Sequence, residues 1–388
     1  MNLDNPNNKD KVAIICVGFN RIKSLTRLLN SLLKAHFPSS DIPLIISIDC
    51  SGDENLYDYV RSFEWPFGEK FVNIQKERLG LKEHIFKCGD LSKYFKGIIL
   101  LEDDLFVSPY FYDYVIKALE YYGADRRIAQ ISLYKNETNG YVGLPLAHIM
   151  NKYDTLLMQD VSTWGECWNY AMWKEFREWL DCHTEEDVQS LDMPITIKRW
   201  TKAWSKYYNA YVVDTGKYVV YPVVSVTTNF SDAGVHGGDN NSLVQVNLLD
   251  GPKKYQFGDY QELEKYDIFY NNTKIYEWLG IGEEDLNLDL YGFHPNIKSK
   301  RYILSTKKLN FKIVKSFALN MRPIELNIKY GISGKGIYLY DTEFQTNADY
   351  PKSYPLSLIN YYLQGFSHSQ LIQSTFSYYW SRLKARLK

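Results

Sequence analysis

Several common signals are missing from this sequence of 388 residues. It has no GxGxxG and no GxxxxGKS/T motif, so neither a dinucleotide-binding fold nor a P-loop is supported. No apolar run is long enough to span a bilayer, and the polar first residues lack the apolar stretch of a signal peptide. These absences predict a cytoplasmic protein.

Cysteine is also scarce, and the sequence contains no CxxC pair. An odd set of five argues against a disulfide framework or a zinc site and favours a reducing compartment: Cys16, Cys50, Cys88, Cys167 and Cys182. Cys16 and Cys50 lie in apolar, strand-like runs, so we expect them to be buried thiols.

The charge balance excludes one class of partner. The formal net charge is −1, so the molecule has no general attraction for nucleic acid. Residues 298–329 nevertheless contain nine Lys or Arg and one Glu, a local basic excess. With 45% hydrophobic residues, the chain has enough material for one large domain and an appendage.

Strand-like and helix-like segments alternate in the first half of the chain. This order predicts an α/β fold with a mostly parallel sheet and helices on both faces. The predicted strands are residues 11–17, 43–49, 71–74, 97–101 and 128–133, and the predicted helices are residues 22–37, 81–95 and 110–122.

Polar residues follow three of these strands, where parallel sheets bind their ligands. Phe19 and Arg21 follow the first strand, Asp49 follows the second, and the acids 102–104 follow the fourth. We predict that they bind a nucleotide, with Asp49 on the base or ribose and Arg21 on the diphosphate. The alternatives are a turn-forming Asp and an Arg that only begins a helix.

The three consecutive acids, Glu102, Asp103 and Asp104, give the sharpest signal. They would repel one another unless a positive charge lies among them. A divalent cation, Mg²⁺ or Mn²⁺, meets this need when it is bound by carboxylates and substrate phosphates. The alternative is a solvated acidic turn or a helix cap.

His236 lies in a glycine-containing segment, residues 230–238. A neutral imidazole is a common ligand of transition metals, and the glycines allow the backbone to approach a phosphate. We predict that His236 is a second metal ligand, with an ordinary loop histidine as the alternative.

Four stretches in the same order resemble glycosyltransferases of the GT-A fold, a Rossmann-like, mostly parallel sheet flanked by helices. The resemblance covers about residues 11–238, and it is closest to the N-acetylglucosaminyltransferase I type and to bacterial polysaccharide-synthesis transferases. The stretches are residues 43–50, 99–111, 162–168 and 221–237.

The resemblance implies a role for each stretch. Asp49 corresponds to the Asp that contacts uracil, Asp104 to the acid that reaches the cation, and Glu102 and Asp103 to acids that serve the nucleotide. Residues 162–168 correspond to an aromatic segment on the acceptor side, and residues 221–237 to the loop that closes the donor site. The implied cofactors are Mn²⁺ or Mg²⁺, with a UDP-sugar as donor.

The family inverts the anomeric carbon and needs a carboxylate base within reach of the acceptor hydroxyl. In the family this Asp lies in the helix before the Tyr-Pro strand, but residues 199–205 of this chain contain no acid. Asp232 and Asp160 are the substitutes that we consider, and a structural role is the alternative for each. The Trp residues between 164 and 204 stack on acceptor sugars in one interpretation and form a core in the other.

We therefore predict a GT-A domain over residues 10–250 and a C-terminal extension over residues 251–388 that contacts acceptor or membrane. The basic segment and the amphipathic C-terminal helix favour peripheral contact with an anionic membrane, on the inner face of the plasma membrane. The alternative is a helix packed on the body. The predicted enzyme is a hexosyl- or N-acetylhexosaminyltransferase that acts on a cell-surface glycan or lipid-linked glycan acceptor. A degenerate, glycan-binding transferase and a sugar nucleotidyltransferase are the competing hypotheses.

Overall fold

A computed structural model of the chain describes residues 5–232, 244–347 and 356–386. The chain forms two compact units. The first contains Met1–Ile275 with Phe293–Asn296, and the second contains Tyr276–Gly292 with Ile297–Lys388. The first unit therefore extends beyond residue 250, where the sequence placed the end of the first domain.

The first unit is built around a nine-stranded sheet in the order β13-β9-β11-β6-β10-β4-β1-β2-β3. Five of its eight strand pairings are parallel, and β10 runs antiparallel between β4 and β6. The strands of this unit are β1 (Val12–Gly18), β2 (Leu44–Ile48), β3 (Lys70–Ile74), β4 (Gly97–Glu102), β5 (Leu105–Val107), β6 (Ile128–Ser132), β7 (Thr138–Asn139), β8 (Leu144–Pro145), β9 (Thr155–Met158), β10 (Glu166–Trp168), β11 (Tyr218–Pro222), β12 (Thr227–Asn229) and β13 (Lys265–Tyr266). The predicted α/β class with a mostly parallel sheet is confirmed.

Helices flank this sheet, and the three predicted helices begin at or within one residue of where the sequence placed them. They are α1 (Ile22–Leu32), α2 (Glu54–Ser62), α3 (Leu81–Gly89), α4 (Phe111–Tyr122), α5 (Tyr170–Cys182), α6 (Glu185–Ser190), α7 (Ile195–Lys198), α8 (Trp204–Asp214) and α9 (Ile275–Leu279), the last of which crosses the division between the units. Helix α1 buries Leu25, Leu28, Leu29 and Leu32, which recur at helical spacing. It ends at Leu32, five residues before the predicted end at Phe37, which precedes a proline and so disfavours helix.

The helix predicted over residues 81–95 also ends early. Helix α3 ends at Gly89, and a 3-10 turn, Asp90–Tyr94, follows. Trp173 of α5 packs directly on Gly89, where a built Cβ would lie only 2.2 Å from the indole. The contact therefore leaves no room for a side chain at this position.

Four of the six tryptophans between residues 164 and 204 are buried, whereas Trp164 and Trp200 are only partly buried. Trp168, Trp173 and Trp204 are all fully buried, and the rings of Trp168 and Trp173 lie 4.9 Å apart between centroids. Residues 166–168 form strand β10, so Trp164 and Trp168 do not share a helical face. Cys16 is buried as expected, whereas Cys50 is only half-buried.

The second unit contains a four-stranded sheet in the order β14-β15-β17-β16, in which only the β14–β15 pairing is parallel. Its strands are β14 (Leu286–Asp289), β15 (Tyr302–Ser305), β16 (Phe311–Ala318) and β17 (Gly336–Gln345), and its helices are α10 (Leu326–Lys329), α11 (Leu356–Leu363) and α12 (His368–Arg386). In the part of the chain that the structure describes, no helix is long and apolar enough to cross a membrane.

Candidate active site

The carboxyl ends of β1, β2 and β4 meet at one edge of the large sheet. Gly18 at the end of β1 is opposite Ile48 of β2, and Val17 is opposite Glu102 of β4. The three strands are parallel, so the residues that follow them emerge together. The structure therefore brings Arg21, Asp49 and the acidic segment to the same edge, as the sequence predicted.

A second, two-stranded sheet extends this edge. Strand β5 directly follows the acids and pairs antiparallel with β12. This pairing places the Asn229 amide 3.2 Å from Asp104 Oδ1, and the Phe230 N–H donates to the Asp104 carbonyl at 3.0 Å. The sequence did not predict Asn229, because its partner lies far away in the chain and nothing local marks it.

Arg21 is the positive centre of the cluster. Its Nε donates to Asp103 Oδ2 at 3.2 Å, its second terminal nitrogen contacts Asp103 and lies 3.2 Å from Asp104 Oδ2, and its first donates to the Asp232 carbonyl at 3.0 Å. Burial alone disfavours its charge, but the two carboxylates outweigh burial and raise the pKa of Arg21 further. The guanidinium is thus permanently charged, and its positive charge partly offsets the repulsion among the three acids.

One arginine does not neutralise these acids. Burial, together with the charges of Asp104 and Asp103, raises the pKa of Glu102 to about 8. Burial also raises the pKa of Asp103 to about 6 and shifts that of Asp104 upward, against the opposing effect of Arg21. An additional cation would stabilise their ionised forms.

The described residues contain no group of three or more His, Cys, Asp or Glu side chains placed to hold a metal ion. Mg²⁺ and Mn²⁺ sites in transferases do not need one, because one or two carboxylates act together with substrate phosphates. Asp104 fits this donor set, since it is only partly buried and lies at the strand end. The second predicted ligand, His236, lies outside the described residues.

Glu166 is a site residue that the sequence did not reveal. This fully buried carboxyl lies on β10, where its Oε2 accepts from the Gly165 N–H at 3.0 Å and its Oε1 has no hydrogen-bond partner among the described residues. Burial and then the charge of Glu102 raise its pKa far above the usual range. An acid inside an apolar strand, Glu-Cys-Trp, was the available signal.

Asp49 has a clear local role. Its Oδ1 accepts from the N–H groups of Cys50 and Leu79, and its Oδ2 accepts from the N–H of Gly80, all at 2.9 Å. The buried carboxylate thus ties the end of β2 to the start of α3. The predicted contact with a base or ribose stays a prediction, and such a contact would have to use the remaining lone pair of Oδ2.

Phe19 lies at the same edge under a cation. The Arg78 guanidinium is 4.7 Å from the centroid of the Phe19 ring. Arg78 belongs to the loop that the Asp49 carboxylate anchors. The sequence pattern did not single out this second arginine of the edge.

Of the two candidate bases, Asp232 lies in the cluster. Its carboxylate pairs with Arg27 of α1, whose guanidinium also stacks 3.9 Å from the Phe230 ring centroid. Burial opposes ionisation, but the bonds from Arg27 and Ser24 prevail and lower the pKa of Asp232. The group is therefore an ionised carboxylate beside Arg21 at neutral pH.

Asp160 lies in a closed polar cage. Its Oδ1 accepts from the Tyr141 hydroxyl at 2.9 Å, and its Oδ2 accepts from the Tyr270 hydroxyl at 2.7 Å and the Asn136 amide at 3.0 Å. The Tyr221 hydroxyl binds the Asp160 carbonyl. Burial raises the pKa of Asp160 despite these bonds. This environment favours a structural role.

No family model and no curated protein matches this chain. Solved structures resemble it in fold. Residues 1–349 of TarS from S. aureus match 56% of this chain over 59% of their own length, with 14% identity and a TM-score of 0.37. The complex of the same TarS residues with UDP-GlcNAc matches 58% of this chain over 60% of its own length, with 13% identity and a TM-score of 0.37. The mannosyltransferase PcManGT from Pyrobaculum calidifontis, in complex with GDP-Man and Mn²⁺, matches 56% over 58%, with 11% identity and a TM-score of 0.34.

This chain thus spans about three-fifths of the length of the solved chains that it matches. All of these TM-scores are below 0.5. Any assignment of function therefore rests on the residues of this site.

Proposed function

We propose that the chain is a metal-dependent, inverting glycosyltransferase that moves a sugar from a UDP-sugar to a glycan acceptor. One observation carries the proposal. Three acids with raised pKa values lie at the carboxyl end of β4, where Arg21 from β1 and Asn229 from β12 converge on them. Excess negative charge, held in place by fixed donors, is what a site for a divalent cation and a diphosphate requires.

In this proposal, different residues at this edge of the large sheet bind different parts of the donor. Asp104, with His236, would hold Mn²⁺ or Mg²⁺, which supplies a Lewis acid that offsets charge on the departing diphosphate. Glu102 and Asp103 would serve the nucleotide, as the resemblance implies. Arg21 is already aimed at this point and would pair with a phosphate oxygen. These roles combine the observed geometry with the sequence resemblance.

The acceptor hydroxyl attacks the anomeric carbon and needs a carboxylate to receive its proton. Asp232 is the better candidate, since it lies beside Arg21 and adjoins Asp103 electrostatically, whereas three donors occupy the carboxylate of Asp160. The ion pair with Arg27 lowers the basicity of Asp232. It would therefore have to loosen when the acceptor binds.

The acceptor in this proposal is a growing cell-surface glycan, free or lipid-linked. A lipid-linked acceptor would bring the enzyme to the inner face of the plasma membrane, and the chain beyond the sheet unit supplies the basic residues for that contact. A hexose or an N-acetylhexosamine is the transferred sugar that the resemblance implies.

A thermal-shift screen of nucleotide-sugars with and without Mn²⁺ tests donor binding. We expect one UDP-sugar to stabilise the protein when the metal is present and to release UDP once an acceptor is supplied. Asp104→Ala should abolish both effects, because it removes the carboxylate at the strand end. Asp58→Ala, at an exposed position of α2, is the matched control and should retain both. Metal-independent stabilisation, or stabilisation that survives in Asp104→Ala, would contradict the proposal.

A glycan-binding protein without turnover is the second candidate. The ion-paired state of Asp232 and the caged state of Asp160 favour it, because neither carboxylate is free to act as a base. Stabilisation by a UDP-sugar with no release of UDP under any acceptor would support this candidate. Loss of UDP release in Asp232→Asn, with donor binding retained, would instead support transfer with Asp232 as the base.

A further inference from the structure

Helix α12 presents large apolar side chains to solvent. Residues 372–380 are all exposed, and Phe376 is 75% and Trp380 64% accessible. Ile372, Tyr379 and Leu383 are also more than half exposed. A helix packed on the body would bury such residues. The structure therefore disfavours the alternative in which this helix covers the protein core.

Five of the six large apolar residues that are exposed in the described part of α12 form one stripe. At 3.6 residues per turn, Ile372, Phe376, Tyr379, Trp380 and Leu383 fall within about a third of the helix circumference. The opposite side carries Gln370, Ser374 and Ser381 together with Leu371, Tyr378 and Ala385. Positions 382 and 384, an Arg and a Lys, lie on the two sides of the stripe in this projection. An apolar stripe bordered by cations is typical of helices that lie in a membrane interface.

The charges of this segment distinguish between two possible occupants of the stripe. Residues 350–388 contain five Lys or Arg and neither Asp nor Glu. Pairing α12 with the same helix of a second copy would bring like charges together, with no acid to form interhelical ion pairs. A surface of anionic lipid headgroups attracts the same charges.

We propose that α12 docks on an anionic lipid surface, with its apolar stripe at the acyl boundary and its cations among the headgroups. This inference deepens the membrane contact in the proposed function by naming the element and the side chains that make it. It applies to a helix that lies on the membrane, since none of the described helices could span one.

Flotation of the full chain with lipid vesicles tests the proposal. We expect binding to phosphatidylcholine vesicles that contain about one third phosphatidylglycerol, at least about tenfold weaker binding to phosphatidylcholine alone, and a loss of binding with rising salt. The double variant Phe376→Ser/Trp380→Ser should bind the anionic vesicles about tenfold or more weakly, because the stripe loses its two largest exposed side chains.

Tyr378→Ser is the matched control. It removes an exposed aromatic side chain from the same helix, outside the stripe, and should change binding by less than about twofold. No binding to anionic vesicles, or equal losses in the control and the double variant, would overturn the proposal. So would a dimer in sedimentation equilibrium that requires Phe376 and Trp380. Donor binding in the thermal-shift screen is scored separately, so a failure of this inference is distinguishable from a failure of the transferase proposal.

Discussion

The substitution Glu102→Gln tests the electrostatics of the three acids at the carboxyl end of β4. The change keeps the shape of the side chain and removes a carboxyl whose pKa is raised from 4.5 to about 8 by burial and by Asp104 and Asp103. The folded state therefore holds this proton more tightly than the unfolded chain does. The stabilisation from that proton is complete below about pH 4.5 and is lost as the pH rises through about 8.

The expected size of the effect follows from that shift. After allowance for solvent and for sharing of the proton among neighbouring acids, ionised Glu102 destabilises the folded protein by roughly 2–4 kcal/mol. In a compact unit as large as the first one, a change of 1 kcal/mol in the free energy of unfolding shifts the melting temperature by roughly 2 °C. Glu102→Gln should therefore raise the melting temperature by about 4–8 °C above pH 8 and leave it unchanged near pH 4.5.

Differential scanning calorimetry at a series of pH values, with and without Mg²⁺, measures both parts of the prediction. Mg²⁺ should stabilise the wild type more at pH 8.5 than at pH 6, because a cation binds the ionised acids. Glu120→Gln, on the exposed side of α4, is the control and should show neither effect. A difference between wild type and Glu102→Gln that does not vary with pH would refute the reasoning.

Two further changes test parts of the framework that support the site. Asp49→Asn replaces a carboxylate that accepts from three backbone N–H groups and places an amide NH₂ against the Gly80 N–H. Thermal unfolding should therefore show a loss of about 2–3 kcal/mol in the free energy of unfolding. Equal stability of the variant and the wild type would contradict the anchoring role of Asp49. Gly89→Ala places a methyl group 2.2 Å from the Trp173 indole and should lower the free energy of unfolding by about 2 kcal/mol or more. Gly216 has open space where a Cβ would lie, so Gly216→Ala tests the effect of backbone strain alone.

Local patterns predicted the parallel part of the sheet and the position of the acids. The apolar run that ends at Leu101 is typical of a buried strand, so the acids next to it emerge at that strand's carboxyl end. The positions of Arg21 and Asp49 obey the same rule, because parallel neighbours end at one edge.

Long-range pairings could not be derived in this way. Nothing near Asn229 indicates that β12 pairs with β5, and nothing near Asp160 indicates that Tyr270 closes a cage around it. The spacing of four between Trp164 and Trp168 would suit one face of a helix. Strand β10 instead enters the sheet in reverse between two parallel strands, which depends on tertiary structure.

The β5–β12 pairing also determines when the site forms during synthesis. Val107 pairs with Thr227, 120 positions later in the chain. At about 5–20 residues per second, a ribosome needs on the order of ten seconds to make that intervening segment. A nascent chain that has emerged only to the end of α8 already carries Arg21 and the acids, but Asp104 still lacks its amide donor. The surroundings of Asp104 are thus complete only when the sheet unit is nearly finished, and a chain that terminates before β12 lacks them.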